Sequence, residues 1–130
     1  MLFRSRDAEV PNLIRRNCDH FGVKNVTVFK GSAPECLQQL QPLPDRICIE
    51  GGRSVREILQ ESWQYLQPES RVVATANNLE TLYQISEGLA TLQARNIEVV
   101  QAAVNRLETR GIYQTFAAVD PTFILSGEKL

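Results

Sequence analysis

The order of hydrophobic patterns along the chain predicts an α/β fold: a mostly parallel sheet with helices on both faces and an antiparallel hairpin at the C-terminal end. Three observations carry the prediction. Segments with apolar residues at helical spacing alternate with short β-branched runs, the pattern of a sheet built from strand–helix–strand units. One of the strand runs, Arg46-Ile47-Cys48-Ile49-Glu50, is mostly apolar, as expected of a strand covered on both faces. The last two β-rich segments have no helix between them, so they are expected to pair as a hairpin.

The first helix carries Val10, Leu13, Ile14, Cys18 and Phe21 on one face. Asp7 is its expected N-cap, Pro11 falls in the first turn where a missing N–H is harmless, and Gly22 supplies the stop. Val26-Thr27-Val28-Phe29 is a strand. Ser32 and Glu35 have capping-box spacing and open a second helix with Leu37 and Leu40 on its face. Gln41-Pro42-Leu43-Pro44 ends it, and strand 46–50 follows. Gly51-Gly52 makes a tight turn into a helix opened by a second capping box, Ser54 and Glu57, which buries Val55, Ile58, Leu59, Ser62 and Leu66. Pro68 closes that helix, residues 71–75 form a strand, and Asn77-Asn78 precedes a helix with Leu82, Ile85, Leu89 and Leu92 on its face. Asn96 leads into the hairpin strands, 97–107 and 115–125, with Gly111 in their connection.

At 130 residues the chain reads as one domain, 1–130, large enough for a core without staples. A formal net charge of −1 gives no electrostatic footprint for nucleic acid or acidic membranes, and no apolar run approaches the ~20 residues of a membrane span. Met1-Leu2-Phe3-Arg4-Ser5-Arg6 has no apolar stretch behind it, which argues against a secretory signal. Three cysteines, Cys18, Cys36 and Cys48, lack close pairing, which suggests the reducing cytoplasm and no metal site. Cys48 reads as a buried small hydrophobe between Ile47 and Ile49. His20, the one histidine, stands at a helix end where a cation favours the dipole. No G-x-S-x-G elbow accompanies it.

Several ordered segments carry a family resemblance. Residues 17–31 (N-C-D-H-F-G-V-K-N-V-T-V-F-K-G), then Ala33-Pro34-Glu35, then Asp45-Arg46 through Ile49 to Gly51-Gly52 resemble the cobalamin-pathway enzymes that methylate and decarboxylate precorrin-6B. The same unit forms the C-terminal half of precorrin-6Y C5,15-methyltransferases. Ile97-Glu98-Val99-Val100-Gln101, Gly111, Tyr113, Pro121 and Phe123-Ile124-Leu125-Ser126-Gly127 match too. Ile112 and Asp120 depart, standing where the family more often has glycine and asparagine. The superfamily implied is that of class I S-adenosylmethionine-dependent methyltransferases, and the fold implied is an incomplete form of their Rossmann-like sheet.

By position, the resemblance implies that Gly31, Ser32, Ala33 and Pro34 form a loop over the donor's adenine. It implies that Glu50, Gly51 and Gly52 border the donor sulfonium and the tetrapyrrole, with Glu50 as the candidate catalytic group. Gly111 and Tyr113, in Arg110-Gly111-Ile112-Tyr113, flank the macrocycle. Each has a plainer alternative. Ser32 caps a helix; Gly51-Gly52 supplies positive φ to a turn; Glu50 faces solvent; Tyr113 packs on an edge strand. Arg4, Arg6, Arg15 and Arg16 either receive corrinoid carboxylates or form a solvated face.

On this alignment residues 1–6 correspond to the end of the family's second strand. The first strand, the glycine-rich donor loop and the first helix have no counterpart, and Ser5 stands where the acidic ribose ligand is expected. The second and fourth strands of the family fold would then each present an open edge. A homo-oligomer or a split partner chain is expected for that reason. The activity implied is methyl transfer from S-adenosylmethionine to precorrin-6B at C15 with loss of a ring acetate carboxylate, by a chain that is not self-sufficient. The alternatives are a non-catalytic relative that binds a tetrapyrrole or a partner enzyme, and a structural fragment.

Overall fold

The computed structural model describes the backbone of residues 2–5 and the whole of residues 9–130. Asp7 and Arg6 lie outside the described residues, as do the side chains of Arg4 and Ser5. The chain divides into two compact units, Met1–Leu40 and Gln41–Leu130.

In the first unit, strand β1 (Leu2–Ser5) pairs in parallel with β2 (Thr27–Lys30), Leu2 opposite Thr27 and Ser5 opposite Lys30. Helix α1 (Glu9–His20) connects them. Its end is set by Gly22 at φ 67°. The Val23 amide donates to the Cys18 carbonyl at 2.8 Å and the Gly22 amide to Asp19 at 3.2 Å, the paired bonds of a Schellman stop. Pro11 is the buried residue of this helix, with Val10, Ile14 and Cys18 half-buried. Leu13 is 54% and Phe21 74% exposed. At 100° per residue the Val10–Ile14–Cys18–Pro11 stripe leaves Leu13 on its flank, and Phe21 falls just beyond the last helical residue.

The expected second helix is a five-residue 3-10 turn, Glu35–Gln39, whose N-cap is Pro34 with no side-chain cap bond. The Ser32 capping box does not form. Ala33 precedes a proline, and that position disfavours the helical conformation which a helix beginning after Ser32 would require. The Ser32 carbonyl instead accepts from the Cys36 amide at 3.1 Å.

The second unit holds a four-stranded sheet in the order β3-β4-β6-β5. β3 (Arg46–Glu50) is parallel to β4 (Arg71–Ala76). β6 (Tyr113–Glu128) runs antiparallel to both β4 and β5 (Arg95–Arg110). Among the described residues β1, β2, β3 and β5 are each bonded along one edge only.

Helices α2 (Val55–Tyr65) and α3 (Leu79–Thr91) cover one face of this sheet. Ile49, Val72, Ala74, Ala76 and Leu125 point to that face and meet Val55, Leu59, Leu66, Ile85 and Leu89. Full burial contributes on the order of 1.5–3 kcal/mol for each large side chain in this cluster. Strand alternation sends Cys48 to the opposite face, where it is exposed. The expectation that Cys48 is buried is therefore corrected: the apolar run mattered less than the parity of its members.

Helix α3 begins as expected, with Asn78 Oδ1 accepting from the Thr81 amide at 2.8 Å. Helix α2 does not. Ser54 adopts left-handed φ 63° and makes no side-chain cap bond, whereas a capping serine needs extended backbone. At its other end the Lys129 ammonium donates to the carbonyls of Trp63 (2.7 Å) and Leu66 (2.9 Å), two of the unsatisfied acceptors of the helix terminus.

The hairpin strands are longer than their apolar runs suggest, sixteen residues each, joined by a two-residue turn with Gly111 at φ 63°. A glycine of positive φ at the first central position fits a II′ turn. Two register shifts interrupt the ladder. Asn96 (φ 49°) and Ile97 together oppose Gly127, and Asp120 and Pro121 together oppose Ala103. Pro121 has no N–H to give the ladder, so it lies where pairing is already broken.

Candidate ligand-binding edge of the sheet

Two parallel strands of the second unit end side by side, Glu50 of β3 opposite Thr75 of β4. In open α/β sheets ligands bind outside such carboxyl ends. Gly51 makes this edge unusually close. A Cβ on Gly51 would lie 1.9 Å from the Thr75 carbonyl oxygen and 2.8 Å from Thr81 Cγ2. The Gly51 amide meets Thr75 Oγ1 at 3.4 Å. Neither Gly51 nor Gly52 has positive φ; in this turn that conformation belongs to Ser54. The expectation that the pair supplies positive φ is corrected: Gly51 is required by close approach of two backbones. A side chain at Gly52 would meet nothing within 4 Å, so that position opens to solvent.

Glu50 is exposed and carries its carboxylate at this edge. The edge also holds the exposed Asn77 and the start of α3, organised by the Asn78 cap. The structure thus brings together Glu50, Gly51, Thr75 and Thr81. Of these, sequence reasoning missed Thr75 and Thr81. The signal that could have found Thr75 is its place at the end of the neighbouring parallel strand.

Gly111 and Tyr113 are not part of this constellation. Phe123 pairs with Ala76 at the end of β4, and the preceding ten residues of β6 carry Tyr113 onward past that edge. At ~3.3 Å per residue the tip stands roughly 30 Å away. Tyr113 is 71% exposed there.

In the first unit the other expected site residues follow β2. Gly31, Ser32 and Pro34 are partly exposed and Ala33 is buried. The Cys36 and Leu37 amides are bound to the Ser32 and Pro34 carbonyls, whereas the Ser32 and Ala33 amides have no acceptor among the described residues. Two unclaimed donors beside small side chains suit the edge of a flat heterocycle. Ser5 closes β1, and its side chain is outside the described residues. His20 ends α1, exposed, with its ring edge-on to Phe21 at 4.8 Å. Among the described residues no helix is long and apolar enough to cross a membrane.

Residues 4–129 match the family model of the precorrin methyltransferase domain. A probable cobalt-precorrin-6B C(15)-methyltransferase (decarboxylating) of Saccharolobus solfataricus is 32% identical over 126 residues, covering 95% of this chain and 63% of that protein. The crystal structure of precorrin-6Y C5,15-methyltransferase from Geobacter metallireducens superposes with a TM-score of 0.85 at 30% identity, covering 98% of this chain and 67% of that one. The C-terminal domain of the Rhodobacter capsulatus precorrin-6Y C5,15-methyltransferase gives the same TM-score at 25% identity, covering 98% of this chain and 67% of that domain.

Proposed function

Because this chain belongs to the precorrin methyltransferase domain family, we propose that it is the catalytic-edge portion of an enzyme that methylates precorrin-6B at C15 and releases a ring acetate carboxylate. The chain spans less than two thirds of the length of the Saccharolobus relative, 63%, and the activity proposed is that of the whole enzyme. The observation that carries the reading is the edge at Gly51. There the β3 and β4 backbones close to a distance no side chain permits, leaving a ledge with Glu50 at its rim.

The methyl donor proposed is S-adenosylmethionine, whose sulfonium presents an already activated methyl group. The Ser32 and Ala33 amides, which have no acceptor among the described residues, bind the adenine edge, with Gly31 and Pro34 allowing close approach. Ser5, at the end of β1, takes the place beside the ribose. Gly51 and Gly52 give the macrocycle access to the ledge. Glu50 orients it by accepting a hydrogen bond from a pyrrole N–H. Little acid–base work is needed, since alignment of donor and carbon nucleophile supplies most of the rate. Gly111 and Tyr113, roughly 30 Å along the arm, lie beyond reach of a macrocycle on that ledge in the same chain. They belong to the proposed substrate site only if the arm of another copy carries them there. The assembly proposed is a homo-oligomer or a complex with a partner chain, in the cytoplasm.

Calorimetric titration with S-adenosylhomocysteine tests the donor half. Binding at micromolar strength by the whole enzyme, weakened by Ala33→Val, is the expected result, and binding that the substitution leaves unchanged overturns the placement. Mass spectrometry of a reaction with precorrin-6B tests the other half, since the product must carry one more methyl and one fewer carboxylate. An unchanged rate for Glu50→Gln would remove Glu50 from the proposal.

A further inference from the structure

We infer that Arg53 and Asn77 form a clamp for one peripheral carboxylate of the tetrapyrrole, and so set the rotation of the macrocycle on the Gly51 ledge. The inference rests on the substrate class proposed above. Both residues are exposed, and both leave the sheet at the same edge. Gly52 and Asn77 each lie two residues beyond the last strand pair, Glu50 and Thr75, and Arg53 follows Gly52. Arg53 makes no hydrogen bond or ion pair among the described residues, although Glu50 and Glu57 stand three and four positions from it in the chain. The next arginine behaves differently: Arg56 is paired with Glu87 of α3. Gly52 puts no side chain between Arg53 and the ledge, and the space that a Cβ would occupy there is open.

The orientation of Asn77 is fixed by a chain of amides. The Thr81 amide donates to Asn78 Oδ1 at 2.8 Å, which settles which end of the Asn78 side chain is oxygen. Asn78 Nδ2 then donates to Asn77 Oδ1 at 3.1 Å. The donor end of Asn77, its Nδ2, is left with no acceptor among the described residues. A guanidinium is a planar fork of donors that grips a carboxylate through two bonds at once, and a side-chain amide adds a third. Free donors of both kinds beside the Glu50 carboxylate suit a ligand that is anionic at its rim and carries N–H groups at its centre, the layout of a tetrapyrrole carboxylic acid. A net charge of −1 gives the chain no general attraction for a polyanion, so a local cation has to supply it. The carboxylate held is one that the product retains. Decarboxylation breaks the carbon–carbon bond to the carboxyl group; its electron pair passes into the ring system and neutral carbon dioxide leaves. An arginine on that group would stabilise the charged starting state more than the transition state and slow the step. Arg53 and Asn77 are therefore positioning residues, which turn the reacting carbon toward the donor by holding another part of the rim.

Absorbance titration of precorrin-6B into the whole enzyme, without methyl donor, reads the clamp directly. Parental binding that weakens with added salt is expected, since an exposed guanidinium–carboxylate pair is screened. Arg53→Gln is expected to weaken binding about tenfold or more and to flatten the salt dependence, with S-adenosylhomocysteine binding and the thermal midpoint unchanged. Arg53→Lys keeps the charge but loses the fork, and is expected to fall between the two. Asn77→Asp keeps the oxygen that Asn78 needs and replaces the free donor with a negative oxygen, so it is expected to weaken binding at least as much as Asn77→Ala. Because both side chains hold one group, the losses from Arg53→Gln and Asn77→Ala are not expected to add in the double variant. A parent enzyme that does not bind precorrin-6B overturns the proposed function and this inference together. A parent that binds it and turns it over, with Arg53→Gln at parental affinity, with an unchanged salt dependence, or with losses that simply add, overturns the clamp alone.

Discussion

Replacing Gly51 with alanine tests the central geometric claim. The added Cβ would lie 1.9 Å from the Thr75 carbonyl oxygen, and real Cβ atoms essentially never approach within 3.0 Å. The β3 and β4 backbones must therefore part by about 1 Å at their carboxyl ends, because the obstructing atom is main chain and cannot rotate away. Parting them weakens the ladder beside Glu50 and Thr75, worth about 1 kcal/mol per bond. Strain from overpacking adds about 1–3 kcal/mol. The expected loss is about 2–4 kcal/mol, which at a urea m-value near ~2 kcal/mol/M lowers the unfolding midpoint by about 1–2 M. Gly52→Ala is the internal control, since its Cβ meets nothing within 4 Å and is expected to change stability by less than ~0.5 kcal/mol. Adding Thr81→Ser removes the methyl at 2.8 Å but leaves the carbonyl, so it should recover little. A Gly51→Ala chain as stable as its parent, or a Gly52→Ala chain equally damaged, would refute the reasoning.

Two further substitutions follow from buried polar atoms. Ser62 is buried on α2 and its hydroxyl has no hydrogen-bond partner among the described residues, so Ser62→Ala is expected to stabilise the chain by about 1 kcal/mol in the same urea assay. Lys129→Met keeps the aliphatic stem but frees the Trp63 and Leu66 carbonyls; a loss of about 1–3 kcal/mol is expected, visible as a lower thermal midpoint by calorimetry.

The fold was legible because alternation of helical and β-branched patterns survives in the sequence element by element, from Asn78 at the start of α3 to the hairpin around Gly111. The capping-box spacing at Ser32 and Ser54 does not mark a capped helix start in the structure. Capping-box spacing records only which residue types stand three apart. It does not record that Ala33 precedes a proline or that Ser54 turns left-handed. Cys48 was misplaced because a five-residue run gives no parity until its neighbour strand is known. At the candidate edge, Glu50 and the two glycines could be located from the end of strand 46–50. The role of Gly51 could not, because it depends on the Thr75 carbonyl, twenty-four residues away and adjacent only once the strands pair. The hairpin's full length was hidden for another reason: exposed strands need no apolar alternation, so Glu108 and Arg110 read as loop.

The bulge at Asp120 and Pro121 divides the hairpin into two regimes. Below it β6 is held between β4 and β5; beyond it the ribbon has two strands and no third among the described residues. A two-stranded ribbon is marginal by itself in water. Its amide protons therefore exchange through local opening, while those of Val72 and Ala74 await global unfolding. Protection of residues 104–110 thus reports directly on whatever lies against the β5 edge, and rises when that edge is paired.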